Sequence, residues 1–407
     1  MSYIVLAIPV FFLLIGIELL VAHIREKDYY RLNDALNDLS CGILQQLLEV
    51  FLKTALFAGY VLIYQRHRLL TVGMDSALAW IACFLGVDFF YYWFHRASHE
   101  VNAIWATHVV HHQSEEYNLA VALRQGALQG AMSWAFYLPL AWLGFPPLMF
   151  LTLSSVNTLY QFWIHTRAIG RLGPLEWLLN TPSNHRVHHG RNPRYIDRNH
   201  GGTLIVWDRL FGTYQAEDEE PVYGITKPLA SWNPVWANLH YWAELFDLAR
   251  RIRGRADRLR LFVKPPGWRP AELGGHEAAL EVHPASYRKW DVEPPPGVAL
   301  YVALQFVPLL LGATLLLMRQ DGVRRTLLAG GAVFVAASLV ALGGLLEQKA
   351  WAVGFETSRL ALVAAAALAH VFQPTGAVLL LAAAASITWL LRLRAGFAAA
   401  GARPALS

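Results

Sequence analysis

Three short boxes hold eight of the sixteen histidines in this chain: HRASH from His95, HVVHH from His108 and HRVHH from His185. Residues three and four apart share one face of a helix, so their side chains meet. His95 and His99 form such a pair, His108, His111 and His112 a triplet, and His185, His188 and His189 a second triplet. Imidazole is the commonest neutral metal ligand and suits zinc, copper, iron and nickel. An isolated histidine is usually a surface or hydrogen-bonded core residue, but this concentration reads as a polynuclear metal site. Eight imidazoles exceed what one tetrahedral zinc uses, and a structural zinc site would more usually include cysteine. Two metal ions are the economical reading.

Two further histidines lie close to the pattern. His165, in QFWIHT at the end of an apolar stretch, is a ninth candidate ligand. His200, in RNHGG, reads equally as a ligand, a group behind the ligands or a loop residue. His23, His67, His240, His276, His283 and His370 have no box around them and read as structural. A ligating histidine normally donates its other N–H to a carboxylate or carbonyl. Asp88, seven residues before His95 and inside an apolar stretch, is the leading candidate for that supporting role, because an ionisable group there is costly unless paired. Asp197 and Asp208 are weaker candidates.

These residues must be positioned by membrane helices. Of 407 residues 55% are hydrophobic and 15% charged, too apolar for a soluble protein of this size, and the chain reads as all-α and polytopic. Apolar stretches near the length needed to cross a bilayer fall at 3–22, 43–64, 77–94, 127–145, 147–165, 298–318, 326–346, 357–373 and 375–391. The first has no basic run before it and no small-residue cleavage site after it, so a retained helix is expected. Residues 1–297 are expected to form a membrane domain, with the catalytic region at about 80–215 and a polar, interfacial segment at about 216–297; residues 298–407 are expected to form a separate helical block. Residues 235–263 carry an aromatic, apolar face beside six arginines, which fits either a helix in the headgroup plane or one packed on the histidine region. Counting spans from an external N-terminus puts the boxes on the cytoplasmic side.

Composition also excludes classes. Two cysteines, Cys41 and Cys83, offer neither a disulfide framework nor a thiolate site. The net charge of +5 comes without a nucleic-acid-binding motif and better matches anionic lipid. There is no HExxH, GxSxG or P-loop, so the usual hydrolytic and phosphate-handling arrangements are missing. Oxygen activation by two redox metals, acting on a lipid that enters from the bilayer, fits what remains.

The boxes HxxxH, HxxHH and HxxHH, with DFFYYWFHRASH from Asp88, resemble the fatty acid hydroxylase and sterol desaturase superfamily of membrane non-haem di-iron enzymes. YQFWIHT at Tyr160, the long stretch from Leu172 through the third box to Tyr214, and KPPGWRP at Lys264 are most similar to its alkylglycerol-oxidising branch. Two positions depart from that pattern: Asn184, where another histidine often precedes the box, and His200, where tyrosine is usual. The resemblance implies that the eight box histidines and His165 hold two irons, and that a reduced pterin such as tetrahydrobiopterin supplies electrons. It further implies that O2 hydroxylates the ether carbon of an alkylglycerol, giving a fatty aldehyde and a glycerol derivative. Trp93, Trp105, Tyr117, Asn118, Gln161 and Trp163 are candidates for lining the pocket, though such aromatics more often serve as core or interface anchors. The competing readings are a fatty acid, sterol or carotenoid hydroxylase or desaturase fed by an electron-donor protein, and a membrane metal-binding or transport protein.

Overall fold

The computed structural model describes residues 3–400, whose regular structure is helical, with only isolated bridges at Leu179–Leu204 and Gly190–Tyr223 in place of strands. They divide into two compact units.

The first unit, residues up to Leu229 with Ala237–Lys289, carries all the boxes. Its membrane helices are α1 (Tyr3–Ile24), α2 (Leu32–His67) and α3 (Ala77–Glu100), each long and apolar enough to cross a bilayer. At 36 residues α2 extends to about 54 Å, well beyond a hydrocarbon core of about 30 Å. The excess is its N-terminal third, which buries Asn33, Asp34, Asn37 and Asp38 at helical spacing and so carries a polar face into the histidine region. α3 starts where the Ser76 side chain accepts a hydrogen bond from the Ala79 N–H, and it delivers the first box in its last two turns. α4 (Asn102–His112) follows after one residue and carries the second box.

α5 (Gln129–Leu143) and α6 (Pro147–Trp163) form the expected hairpin. Gly144 makes the turn at φ +101°, and a Cβ there would lie 1.9 Å from the Leu70 carbonyl oxygen. Pro147 then occupies the first turn of α6, where its missing N–H costs nothing. At 15 and 17 residues these helices reach only about 22 and 26 Å, short of a full crossing. Tyr60 of α2, Cys83 and Val87 of α3, Leu140 of α5 and Met149 of α6 are buried together and lock the four helices.

α7 (Pro182–His188) carries the third box, and α8 (Val206–Leu210) follows the loop containing His200. α9 (Pro234–Arg251) and α10 (Arg255–Val263) occupy the aromatic and arginine-rich segment. Leu245, Ile252 and Leu261 pack on Ala106 of α4, and Asn102 donates to the Leu261 carbonyl at 2.8 Å. Their inner face therefore covers the box helix, while Leu239, Phe246, Leu259 and Val263 stay exposed.

The second unit, Ala230–Trp236 with residues from Trp290 onward, contains α11 (Val298–Met318), α12 (Arg325–Leu346), α13 (Ala352–Leu368) and α14 (Pro374–Ala400). α11, α12 and the Pro374–Arg394 part of α14 pass as spans, which with α1 to α3 makes six among the described residues; α13 keeps the 17-residue length of its apolar stretch but starts five residues earlier, and it is not among the six. A buried ion pair, Glu356–Arg359 at 2.6 Å, is tied to Tyr301 and Gln305 of α11, so the polar groups inside this unit satisfy one another.

Candidate metal centre

The boxes do not map one to one onto metal sites. Nine buried histidines converge into two groups whose potential ligand atoms lie within 4.8 Å of one another: His95, His99, His108, His112 and His188 in one, and His111, His165, His185 and His189 in the other. Each HxxHH box is split. Adjacent residues on a helix diverge by about 100°, so His111 and His112 face different groups, as do His188 and His189.

The rings are held from behind by backbone and amide oxygens. His95 Nδ1 donates to the His200 carbonyl at 2.8 Å, His111 Nδ1 to the Arg124 carbonyl at 2.8 Å, His165 Nδ1 to the Gln161 carbonyl at 2.7 Å and His188 Nδ1 to the Arg198 carbonyl at 2.9 Å. His108 Nδ1 donates to Gln129 Oε1, also at 2.8 Å. A neutral imidazole has one N–H, so in all five rings Nε2 is left as a bare lone pair.

Those Nε2 atoms face one another or the Nε2 of a neighbouring box histidine. His95 Nε2 and His108 Nε2 are 3.1 Å apart, His108 and His112 3.2 Å, His111 and His165 3.2 Å, and His165 and His185 3.0 Å. In the His95–His108 and His111–His165 pairs both nitrogens are fixed acceptors, which cannot hydrogen-bond to each other. Nitrogens about 2.1 Å from a common cation and at right angles around it are about 3.0 Å apart, so these separations match the edges of a coordination polyhedron. The Nε2 atoms of His99, His188 and His189 are likewise buried without a hydrogen-bond partner. The donor set fits two metal ions.

Charge supports the same fit. Burial pushes the His108 imidazole down to about 4, and burial with neighbouring imidazoles holds His111, His112, His185, His188 and His189 well below the ordinary value. At neutral pH these rings are therefore in the form that ligates.

Asp88 works one step removed from the rings. Its Oδ1 accepts from Asn157 at 2.6 Å and from the Thr203 N–H at 2.7 Å, and its Oδ2 from the Leu204 N–H at 3.1 Å and from Trp207 Nε1 at 2.9 Å. Those bonds pin the 200–207 loop to α3 and α6, and the loop supplies the carbonyl that orients His95. Gly202 sits in the contact; a Cβ there would come within 3.0 Å of Tyr91, Asn157 and Asp88. Asp208 holds the same loop through the N–H groups of His200 and Gly201, both at 2.7 Å. Asp197 lies 3.5 Å from His99 Nδ1.

Among the aromatic candidates, Trp105 packs on His99 and His112 with ring centres 4.9 and 5.4 Å away, and Tyr117 on His189 and His165 at 5.2 and 5.7 Å. Gln161 contributes its carbonyl to His165, while Asn118 is taken up by the Tyr29 carbonyl and the Ala120 N–H. Trp93 packs on Phe211, and Trp163 on Tyr160.

Two supporting residues escaped sequence reasoning. Gln129 orients His108, and Arg124, fully buried, bonds the Val110 carbonyl, Asn37, Asp38 and Gln113 while its own carbonyl holds His111. Arg124 had a faint signal, as a cation between apolar segments; the carbonyls had none, since every residue has one.

The Fatty acid hydroxylase family profile matches residues 80–213, which contain all nine histidines. Alkylglycerol monooxygenase of Homo sapiens is 40% identical over 88% of this chain and 81% of its own length. The Danio rerio enzyme of that name is 39% identical over 89% and 81%, and the Xenopus tropicalis one 44% identical over 67% and 60%. No solved structure matches the chain.

Proposed function

The chain belongs to the alkylglycerol monooxygenase family, built on a fatty acid hydroxylase domain and carried by membrane helices, and from that premise we propose that it hydroxylates the ether-bearing carbon of alkylglycerols. Lipid monooxygenation by a multi-pass membrane protein is the chemistry of that family. The substrate, the metal and the electron donor are our reading.

The single observation that carries it is the set of opposed, bare Nε2 atoms, such as His111 against His165 and His95 against His108. In this reading His95, His99, His108, His112 and His188 hold one iron and His111, His165, His185 and His189 the other. Bound there, two irons would supply reductive activation of O2, with two electrons drawn from a reduced pterin. One oxygen atom enters the C–H bond beside the ether oxygen and the other leaves as water. The hemiacetal so formed then breaks its C–O bond to give a fatty aldehyde and a free glycerol hydroxyl.

The protein's share is positional. Carbonyls and Gln129 fix the tautomers, and Arg124 and Asp88 hold the segments that present those carbonyls. Burial excludes water from a centre that must direct oxidation at one C–H bond. Residues 80–215 carry this catalytic region, 216–297 form its polar cover, and 298–407 form a separate membrane block. The boxes face the cytoplasm.

The test is an aerobic assay of iron-loaded, detergent-purified protein with an alkylglycerol, with and without tetrahydrobiopterin, following fatty aldehyde. Pterin-dependent aldehyde supports ether cleavage. No aldehyde from protein holding two irons overturns it and redirects attention to other lipid hydroxylations with a protein electron donor.

A further inference from the structure

We propose that His200 is a sixth nitrogen ligand for the ion held by His95, His99, His108, His112 and His188, an inference that rests on the metal reading above. Its ring is completely buried, and neither ring nitrogen makes a hydrogen bond. A buried polar group is costly to leave unsatisfied, so the position calls for a partner.

The surroundings restrict what that partner is. The His200 ring centre lies 5.1 Å from that of His99, 5.6 Å from His188 and 5.7 Å from His95, against 5.5 Å between His95 and His99 themselves. His95 and His188 have already committed their Nδ1 protons to carbonyls, so neither can donate to His200. The backbone of Asp197 lies beside the ring without completing a hydrogen bond. An N–H turned toward it leaves the other nitrogen as a lone pair, and a cation among the three rings satisfies that lone pair.

The placement is also built. The His200 N–H donates to Asp208 Oδ1 at 2.7 Å, and its carbonyl receives the His95 Nδ1 proton. Asn199 before it adopts φ +55° and is held through its Nδ2 by the Asn184 and Gln215 carbonyls at 2.9 and 2.7 Å. Asparagine enters this left-handed region more readily than other side chains, and those two bonds hold it there. Six nitrogens would close one ion, while the four-histidine ion keeps open positions, the arrangement expected of a catalytic metal.

The test titrates Co(II) into the chelator-stripped, full-length protein in detergent, comparing wild type, His200→Phe, which keeps an aromatic ring, and His200→Ala. Co(II) absorbs weakly in the visible when six-coordinate and more strongly when a ligand is lost. We expect two cobalt ions per chain in wild type, and in both variants stronger absorption with about tenfold or more weaker binding of one ion. Unchanged spectra and affinities in both variants would overturn the ligand role while leaving the metal reading intact. An effect in His200→Ala but not in His200→Phe would assign the residue to packing and overturn it as well. Wild type that binds no cobalt would overturn both readings.

Discussion

His111 Nε2 and His165 Nε2 face each other at 3.2 Å although 54 residues separate them, and each ring has given its only proton to a carbonyl behind it, Arg124 for one and Gln161 for the other. Two lone pairs at that distance repel unless a cation lies between them. Metal binding is therefore expected to relieve that repulsion and to stabilise the fold.

Splitting of the third box predicts different lesions from adjacent substitutions. His188→Ala removes a ligand from the five-histidine group and His189→Ala one from the four-histidine group, so each variant falls from about two to about one tightly held ion per chain. Both remain membrane-inserted and lose lipid oxidation. Metal analysis and turnover on the purified variants check this, and retained turnover in either would remove that box from the mechanism.

Gln129→Leu leaves the His108 imidazole in place but takes away the acceptor that fixes its tautomer. Metal affinity should drop about 10- to 100-fold, with helix content unchanged. Competition with a chromophoric chelator measures the affinity, and Gln129→Glu, which still accepts the proton, should restore most of it.

Asp88→Asn keeps the shape but sets an amide NH2 against one or more of the donors that the carboxylate satisfies, namely the Thr203 and Leu204 N–H groups, Trp207 Nε1 and Asn157. Stability should fall by about 2 kcal/mol or more, and the His95 side should lose metal first because its carbonyl partner sits on the freed loop. Thermal melts with and without metal separate the two effects; an unchanged melt would assign Asp88 no anchoring role.

The depressed histidines set the pH response. His108, at about 4 when folded, titrates near 6.5 when unfolded, and the other box histidines outside the spans shift in the same direction. Between those values the unfolded chain binds more protons, so stability rises with pH across the window. It is fully present above about 6.5 and is lost as pH falls toward 4. Chelator-stripped protein should melt at lower temperature at pH 5 than at pH 7.5, and loaded protein should release metal over the same interval; a flat profile would contradict the buried, neutral rings.

Histidine spacing and apolar run length were enough to read the membrane character, the helical class and the histidines that converge from the chain alone, because those are local properties: a triplet on one helix face needs only i, i+3 and i+4, and a span needs only length and apolarity. Run length overreached at the α5–α6 hairpin, where turns and caps trim the helices below a full crossing. The tertiary structure alone decided how the ligands divide. Nothing in HVVHH says that His112 joins His95 while His111 joins His165; that depends on which neighbouring helices stand on either side of the box. It also decided what orients them, since carbonyls from Arg124, Gln161, Arg198 and His200 are recruited by position and not by side-chain type. For His200 the sequence left ligand, support and loop open, and only the folded loop, pinned by Asp88 and Asp208, brought its ring beside the five-histidine group.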